Sequence, residues 1–140
     1  MIKILATNIT SPLGFTTEEN YRSVKNGRSA LRVHDTWKGI PEPFTASLFD
    51  SSQEKSLLLD GFTRFESITI RSIQEALSHS EGTDIKSERT ALILSTTKGD
   101  IEELADCEQN DGAYLKPGAS AAKIARHLGF TTEPVVVCNA

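Results

Sequence analysis

The sequence has no long apolar run: nothing in it reaches the roughly 18 consecutive apolar residues that a membrane helix needs. Cysteine is scarce, with two in 140 residues. Cys107 and Cys138 have neither metal-ligand spacing nor the density of a disulfide framework. Positive charge is not in excess, since 15 Lys and Arg face 19 Asp and Glu for a net charge of −4. A general nucleic-acid binder would be basic, so that class is disfavoured. There is no P-loop, no glycine-rich dinucleotide turn, no HExxH and no GxSxG, and nothing calls for a cofactor or a metal. The opening residues, Met1-Ile2-Lys3-Ile4-Leu5-Ala6, lack the long apolar core of a signal peptide and read as a first strand. A cytoplasmic protein is the simplest expectation.

What remains is ordinary for one soluble domain with a real core: 38% apolar and 24% charged residues. Residues 2–9 are apolar and β-prone, and Ser11-Pro12-Leu13-Gly14 breaks them. Thr16 and Glu19 form a capping box for a helix that stops at Asn26-Gly27, with Tyr21 and Val24 expected on its inner face. Residues 27–60 read as an excursion over the core, with a short strand near Phe44 and a helical turn near Glu54. Trp37, near His34 and Lys38, reads as the anchor of a packed loop in preference to a ligand or partner surface. Thr63 and Glu66 open the longest helix, with Phe65, Ile68, Thr69, Ser72, Ile73, Ala76 and Leu77 at helical spacing. His79 near its C-terminus is expected to complement the helix dipole.

Residues 90–97 are an apolar run that turns hydroxylated and empties into Lys98-Gly99-Asp100, the pattern of a central strand leading into a polar loop. A short helix from Ile101 follows, then a loop signal at Gln109-Asn110-Asp111-Gly112. Pro117 introduces a last helix with Ala121, Ala122, Ile124, Ala125 and Leu128 inward and Gly129 as its stop. Pro134-Val135-Val136-Val137-Cys138 then reads as a short buried strand. Alternating strands and helices imply an α/β fold with a mostly parallel sheet. Three apolar runs make too small a sheet for the chain's length, so an incomplete fold is expected. Cys138 is the one candidate thiol nucleophile, but its place inside a strand favours a buried core cysteine. Cys107 lies between Asp106 and Glu108, which disfavour its thiolate.

These segments, in order, resemble the N-terminal half of the β-ketoacyl-acyl-carrier-protein synthases, which have the thiolase-like fold. Ser11-Pro12-Leu13-Gly14 is similar to the family's Ser-Pro-x-Gly, and Asn26-Gly27-Arg28-Ser29-Ala30 to its Gly-(Arg/Lys)-Ser-Gly segment. Residues 63–77 resemble its long helix, 91–99 its strand and loop, 117–129 the helix before the nucleophile strand, and 135–140 the strand running into small residue-Ala-Cys. No single motif is specific; the shared order over most of the chain carries the resemblance. It implies that residues 1–140 are the N-terminal portion of a ketosynthase domain. The nucleophilic cysteine is then expected directly after Ala140, and no catalytic residue lies in this chain.

The same resemblance implies a parent acyltransferase of fatty acid or polyketide-type biosynthesis. That enzyme would load an acyl thioester onto cysteine and condense it with malonyl-acyl-carrier protein, as a homodimer. None of His34, His79 and His127 matches the family's two assisting histidines. Thr97 and Lys98, in the loop where acyl pocket and dimer interface meet in the family, are the candidate substrate-binding residues. Ala6, Asn8, Ala30, Lys98 and Asp100 depart from the family pattern, and Lys98 is expected to point to solvent. Two other readings compete. One is a non-catalytic short homologue that binds a longer ketosynthase through its end strand. The other is a small thiol enzyme using Cys138 itself.

Overall fold

The computed structural model describes residues 1–35, 41–105 and 116–138. Trp37, Lys38, Cys107 and the loop signal at residues 109–112, together with Asn139 and Ala140, lie outside the described residues.

Helix α1 (Thr17–Lys25) starts as its sequence dictates. Thr16 Oγ1 accepts from the Glu19 amide at 3.2 Å, and Glu19 Oε2 accepts from the Thr16 amide at 3.1 Å. The expected inner face is wrong, because Tyr21 and Val24 are exposed and the buried residue is Asn20. Its Nδ2 donates to the carbonyls of Ile9, Gly14 and Thr16 at 2.9, 2.8 and 2.8 Å, while its Oδ1 accepts from Ser11 Oγ. A buried amide must satisfy its donors and acceptor, and the turn at residues 11–14 is built to do that. Gly14 is required there, since a Cβ would overlap Glu19 Cβ.

Strands β1 (Leu31–His34) and β2 (Phe44–Ser47) form an antiparallel pair that registers Leu31 with Ser47 and His34 with Phe44. The imidazole of His34 stacks on Phe44 at 5.5 Å. Helix α2 (Ser51–Leu57) follows, capped by Asp50, whose Oδ1 accepts from the amides of Ser52 and Gln53 at 2.8 and 2.9 Å.

Helix α3 (Arg64–Ser78) carries the expected capping box at Thr63 and Glu66. Strand β3 (Ile93–Ser95), a 3₁₀ turn (Ile101–Ala105), helix α4 (Pro117–Leu128) and strand β4 (Val135–Val137) complete the order. Gly129 ends α4 at φ 90°, a left-handed position that favours glycine. β3 pairs with β4 in parallel, Ile93 opposite Val135 and Ser95 opposite Val137. The core joins Ile70 of α3, Leu92, and Ile124 and Ala125 of α4. Leu59, Phe62, Ile73, Leu128 and Phe130 pack against it. The chain is therefore mixed α/β, with one parallel and one antiparallel two-stranded sheet among the described residues.

Three further expectations need correction. Residues 2–9 form no strand, and Ile2 stands 98% exposed. A strand exists only through pairing, and no edge among the described residues receives this segment. The terminal strand is not buried: Val135 and Val137 are about half exposed, at 51% and 49%. On α3 the fully buried side chains are Ser67 and Ile70, not the expected stripe, whose members are only partly covered. α4 covers one flank of the helix, and nothing described covers the other as fully.

Asp50 makes a test of local stability. Hydrogen bonds from the Ser52 hydroxyl and the Gln53 amide hold its carboxyl below its ordinary value of 3.8. The folded form thus favours the carboxylate, so this contribution is present above pH 3.8 and disappears as pH falls through the depressed folded value. Carbon chemical shifts of residues 51–57 should lose helical character at low pH before those of α3 do. Simultaneous loss in both helices would show that the cap does not control α2.

Candidate functional site

The candidate site is the C-terminal edge of the parallel pair, where α/β proteins commonly place ligands. Two segments meet there. The Thr96 amide donates to the Val137 carbonyl at 3.1 Å, carrying the ladder one step past β3 and bringing residues 96–100 beside the end of β4. Thr96 Oγ1 accepts from the Gly99 amide at 2.9 Å and closes a tight turn. Gly99 sits at φ 53°, and a Cβ there would touch Pro117 at 3.5 Å, so the chain turns closely against the start of α4.

Asp100 anchors the loop from the other end. Its carboxylate is 1% exposed. Oδ1 accepts from Thr63 Oγ1 and Oδ2 from Ser120 Oγ. Thr63 caps α3, and Ser120 lies in the first turn of α4. The positive ends of two helices therefore converge on one buried anion, each worth roughly half an elementary charge. Beside it Lys123 Nζ meets Glu66 Oε2 at 2.6 Å, joining α4 to α3 a second time, and lies 4.8 Å from the Phe62 ring.

The two substrate-binding candidates stand on this anchored loop. Thr97 and Lys98 are both exposed, as expected for Lys98. Together they present a hydroxyl and an ammonium, which can orient a polar or anionic group. Cys138 is placed otherwise than its sequence implied: it follows β4 directly and is exposed, because the strand ends at Val137. The histidines do not converge on this edge. His34 lies in the antiparallel pair, His79 is the C-cap of α3, and His127 packs edge-on against Phe62 at 4.7 Å. Among the described residues no group of three or more His, Cys, Asp or Glu is arranged to hold a metal ion. No helix among them is long and apolar enough to cross a membrane.

In the sequence Asp100 stands out only as a departure from a glycine, and its role follows from partners 37 and 20 positions away. The usable signal was an acidic residue at a strand exit, with a threonine N-cap and a first-turn serine elsewhere. No family model matches the chain, and no curated protein matches it significantly. The ketosynthase resemblance thus stands on the sequence motifs alone.

Removing the Asp100 carboxylate leaves two inward hydroxyls and two helix ends without their acceptor. Asp100→Ala should destabilise the fold by about 3–5 kcal/mol, since it removes two hydrogen bonds to a charged acceptor at roughly 1.5–3 kcal/mol each. Asp100→Asn, which keeps one oxygen acceptor, should cost about 1–3 kcal/mol. Urea midpoints of the two variants measure this, and equal, near-zero shifts in both would mean that the clamp does not hold the helices.

Proposed function

We propose that this chain is the N-terminal part of a ketosynthase-type condensing enzyme with the thiolase-like fold. The parent's nucleophilic cysteine would come directly after Ala140. One observation carries the reading. The parallel β3–β4 pair has helices on one face and bare apolar side chains on the other, with Ile93 at 66% exposure. All-parallel sheets ordinarily have both faces covered. A front half of a larger α/β fold accounts for that face, for the unpaired segment at residues 2–9, and for the partly covered flank of α3. The ordered run of family-like motifs supports the same reading.

In the parent, the cysteine thiolate attacks the carbonyl of an acyl thioester and the carrier thiol leaves, giving an acyl-enzyme. Malonyl-acyl-carrier protein then loses carbon dioxide, and its carbanion attacks the acyl group. That step extends the chain by two carbons and frees the cysteine. Backbone amides would hold the developing oxyanion. This chain contributes the strand that positions the nucleophile and, through Thr97 and Lys98, part of the acyl-pocket rim near the dimer interface. The proposed setting is a cytoplasmic homodimer served by acyl carrier protein. The outer edges of β3 and β4, which pair with no other strand among the described residues, also suit the second reading, a non-catalytic homologue that pairs with a longer ketosynthase.

Reading the coding DNA past the Ala140 codon separates the two: a cysteine codon in an open frame supports the enzyme, and an immediate stop supports the partner. Purified as 140 residues, the chain should show no decarboxylation of malonyl-acyl-carrier protein and no condensation. Turnover that Cys138→Ser abolishes would falsify the proposal and favour a thiol enzyme built on Cys138.

A further inference from the structure

We propose that the depression between the turn at residues 11–14 and the chain leaving α1 binds a phosphomonoester. The site lies away from the β3–β4 edge and does not rest on the condensing-enzyme reading. It is a cavity of about 610 Å³ lined by Pro12, Ser23, Arg28, Ser29 and Arg32 among others, and no carboxylate lines it. Two arginines and two serines line one concave surface in a chain of net charge −4, with the Ser23 hydroxyl donating to the Leu13 carbonyl at 3.1 Å and the Ser29 hydroxyl accepting from the Leu31 amide at 3.2 Å.

Arg32 is set in place before any ligand arrives. Its Nη1 donates to the carbonyls of Ser29 and Leu31, both at 2.7 Å, which fixes the plane of the guanidinium. The other guanidinium nitrogens remain to serve as donors, and a fork held in plane loses less freedom on binding an oxyanion. The C-terminal end of α1 adjoins the cavity and opposes an anion with about half an elementary charge. Two full positive charges outweigh it. They match a phosphate dianion better than a single carboxylate, whose one charge would leave a guanidinium unpaired.

A ligand larger than inorganic phosphate fits the shape. A neighbouring cavity of about 410 Å³ shares Leu13, Ser23 and Arg28 and adds Phe15, with Glu19, Arg22 and Gln53 also lining it. The cavity between Arg28 and Arg32 holds the phosphoryl group, and a short organic arm reaches past Arg28 toward Leu13 and Phe15, while Glu19 keeps a second anionic group away from that side. Volumes of this size lie in the range of small-molecule sites.

Equilibrium dialysis of the 140-residue chain against radiolabelled phosphate, at constant ionic strength in chloride, tests this. Phenyl phosphate and sulfate serve as competitors. Saturable uptake is expected, with phenyl phosphate displacing the label at lower concentration than unlabelled phosphate does. Arg28→Gln should weaken phenyl phosphate about tenfold, the loss of one charge-assisted fork. The backbone amide of Arg28, which donates to the Ser23 carbonyl at 2.9 Å, is untouched by that change. Arg28→Lys keeps the charge without the fork and should fall between. Absence of saturable uptake overturns the proposal, as does equal affinity in wild type and Arg28→Gln. Sulfate competing as well as phenyl phosphate means an adventitious ion only and overturns it too. Inorganic phosphate competing equally well removes the organic arm and with it the ester.

Discussion

One buried carboxylate decides how the larger half of this structure is assembled. Taking an ion from water to a site that is 1% exposed costs several kcal/mol unless the surroundings replace its hydration. Asp100 receives two hydroxyl hydrogen bonds and the positive ends of α3 and α4. Thr63 acts in both directions, accepting from the Glu66 amide at 3.1 Å while donating to Asp100. The start of α3, the start of α4 and the exit of β3 are thereby tied at one point. The Glu66–Lys123 pair ties the two helices again one turn further on. The apolar cluster around Ile70 and Ile124 lies between helices whose positions these polar contacts set.

The same helices cover only one side of the sheet. Ile93, Val135 and Val137 alternate with Leu94 and Val136 along the parallel pair and face outward. Leaving a large aliphatic side chain in water forgoes about 1.5–3 kcal/mol relative to burying it. A sheet of two three-residue strands has little stability of its own, so its place is secured by α3 and α4 behind it. A second copy packed face to face would bury little, since a stable dimer covers about 800 Å² on each partner. Three side chains per copy fall well short. Further strands beside β3 and β4, with helices across the open face, suit this surface better than a copy of itself. That is what the condensing-enzyme proposal requires.

Features encoded within one helical turn were legible in the sequence, and features set by distant contacts were not. The Thr16–Glu19 and Thr63–Glu66 boxes involve residues three apart and could be read directly. So could the stop at Gly129. The inner face of α1 could not, because Asn20 is buried through turn carbonyls as far back as Ile9. A pattern reader looks for apolar residues and passes over a buried amide. Residues 2–9 show the opposite failure: their β-propensity is real, but pairing depends on an edge that no local pattern supplies. At the candidate site the exposed Thr97 and Lys98 follow from a strand that empties into a polar loop. The role of Asp100 was hidden because its partners lie 37 and 20 positions away.

The departure at Asp100 also bears on how the loop can work. Where the ketosynthase resemblance implies a glycine, this chain places a buried anion, which is tolerable only with donors already aimed at it. Thr63, Asp100 and Ser120 are therefore one unit, and changing any one alone leaves the others with unmet hydrogen bonds. Its effect is to pin residues 96–100 at one end, while the Thr96 hydroxyl and the Val137 carbonyl pin them at the other. Thr97 and Lys98 are held out to solvent on a loop with both ends fixed. A ligand meeting them pays little to order the backbone, as expected of a site mounted on rigid elements. The carboxylate touches no ligand itself, yet it decides where the ammonium of Lys98 is displayed.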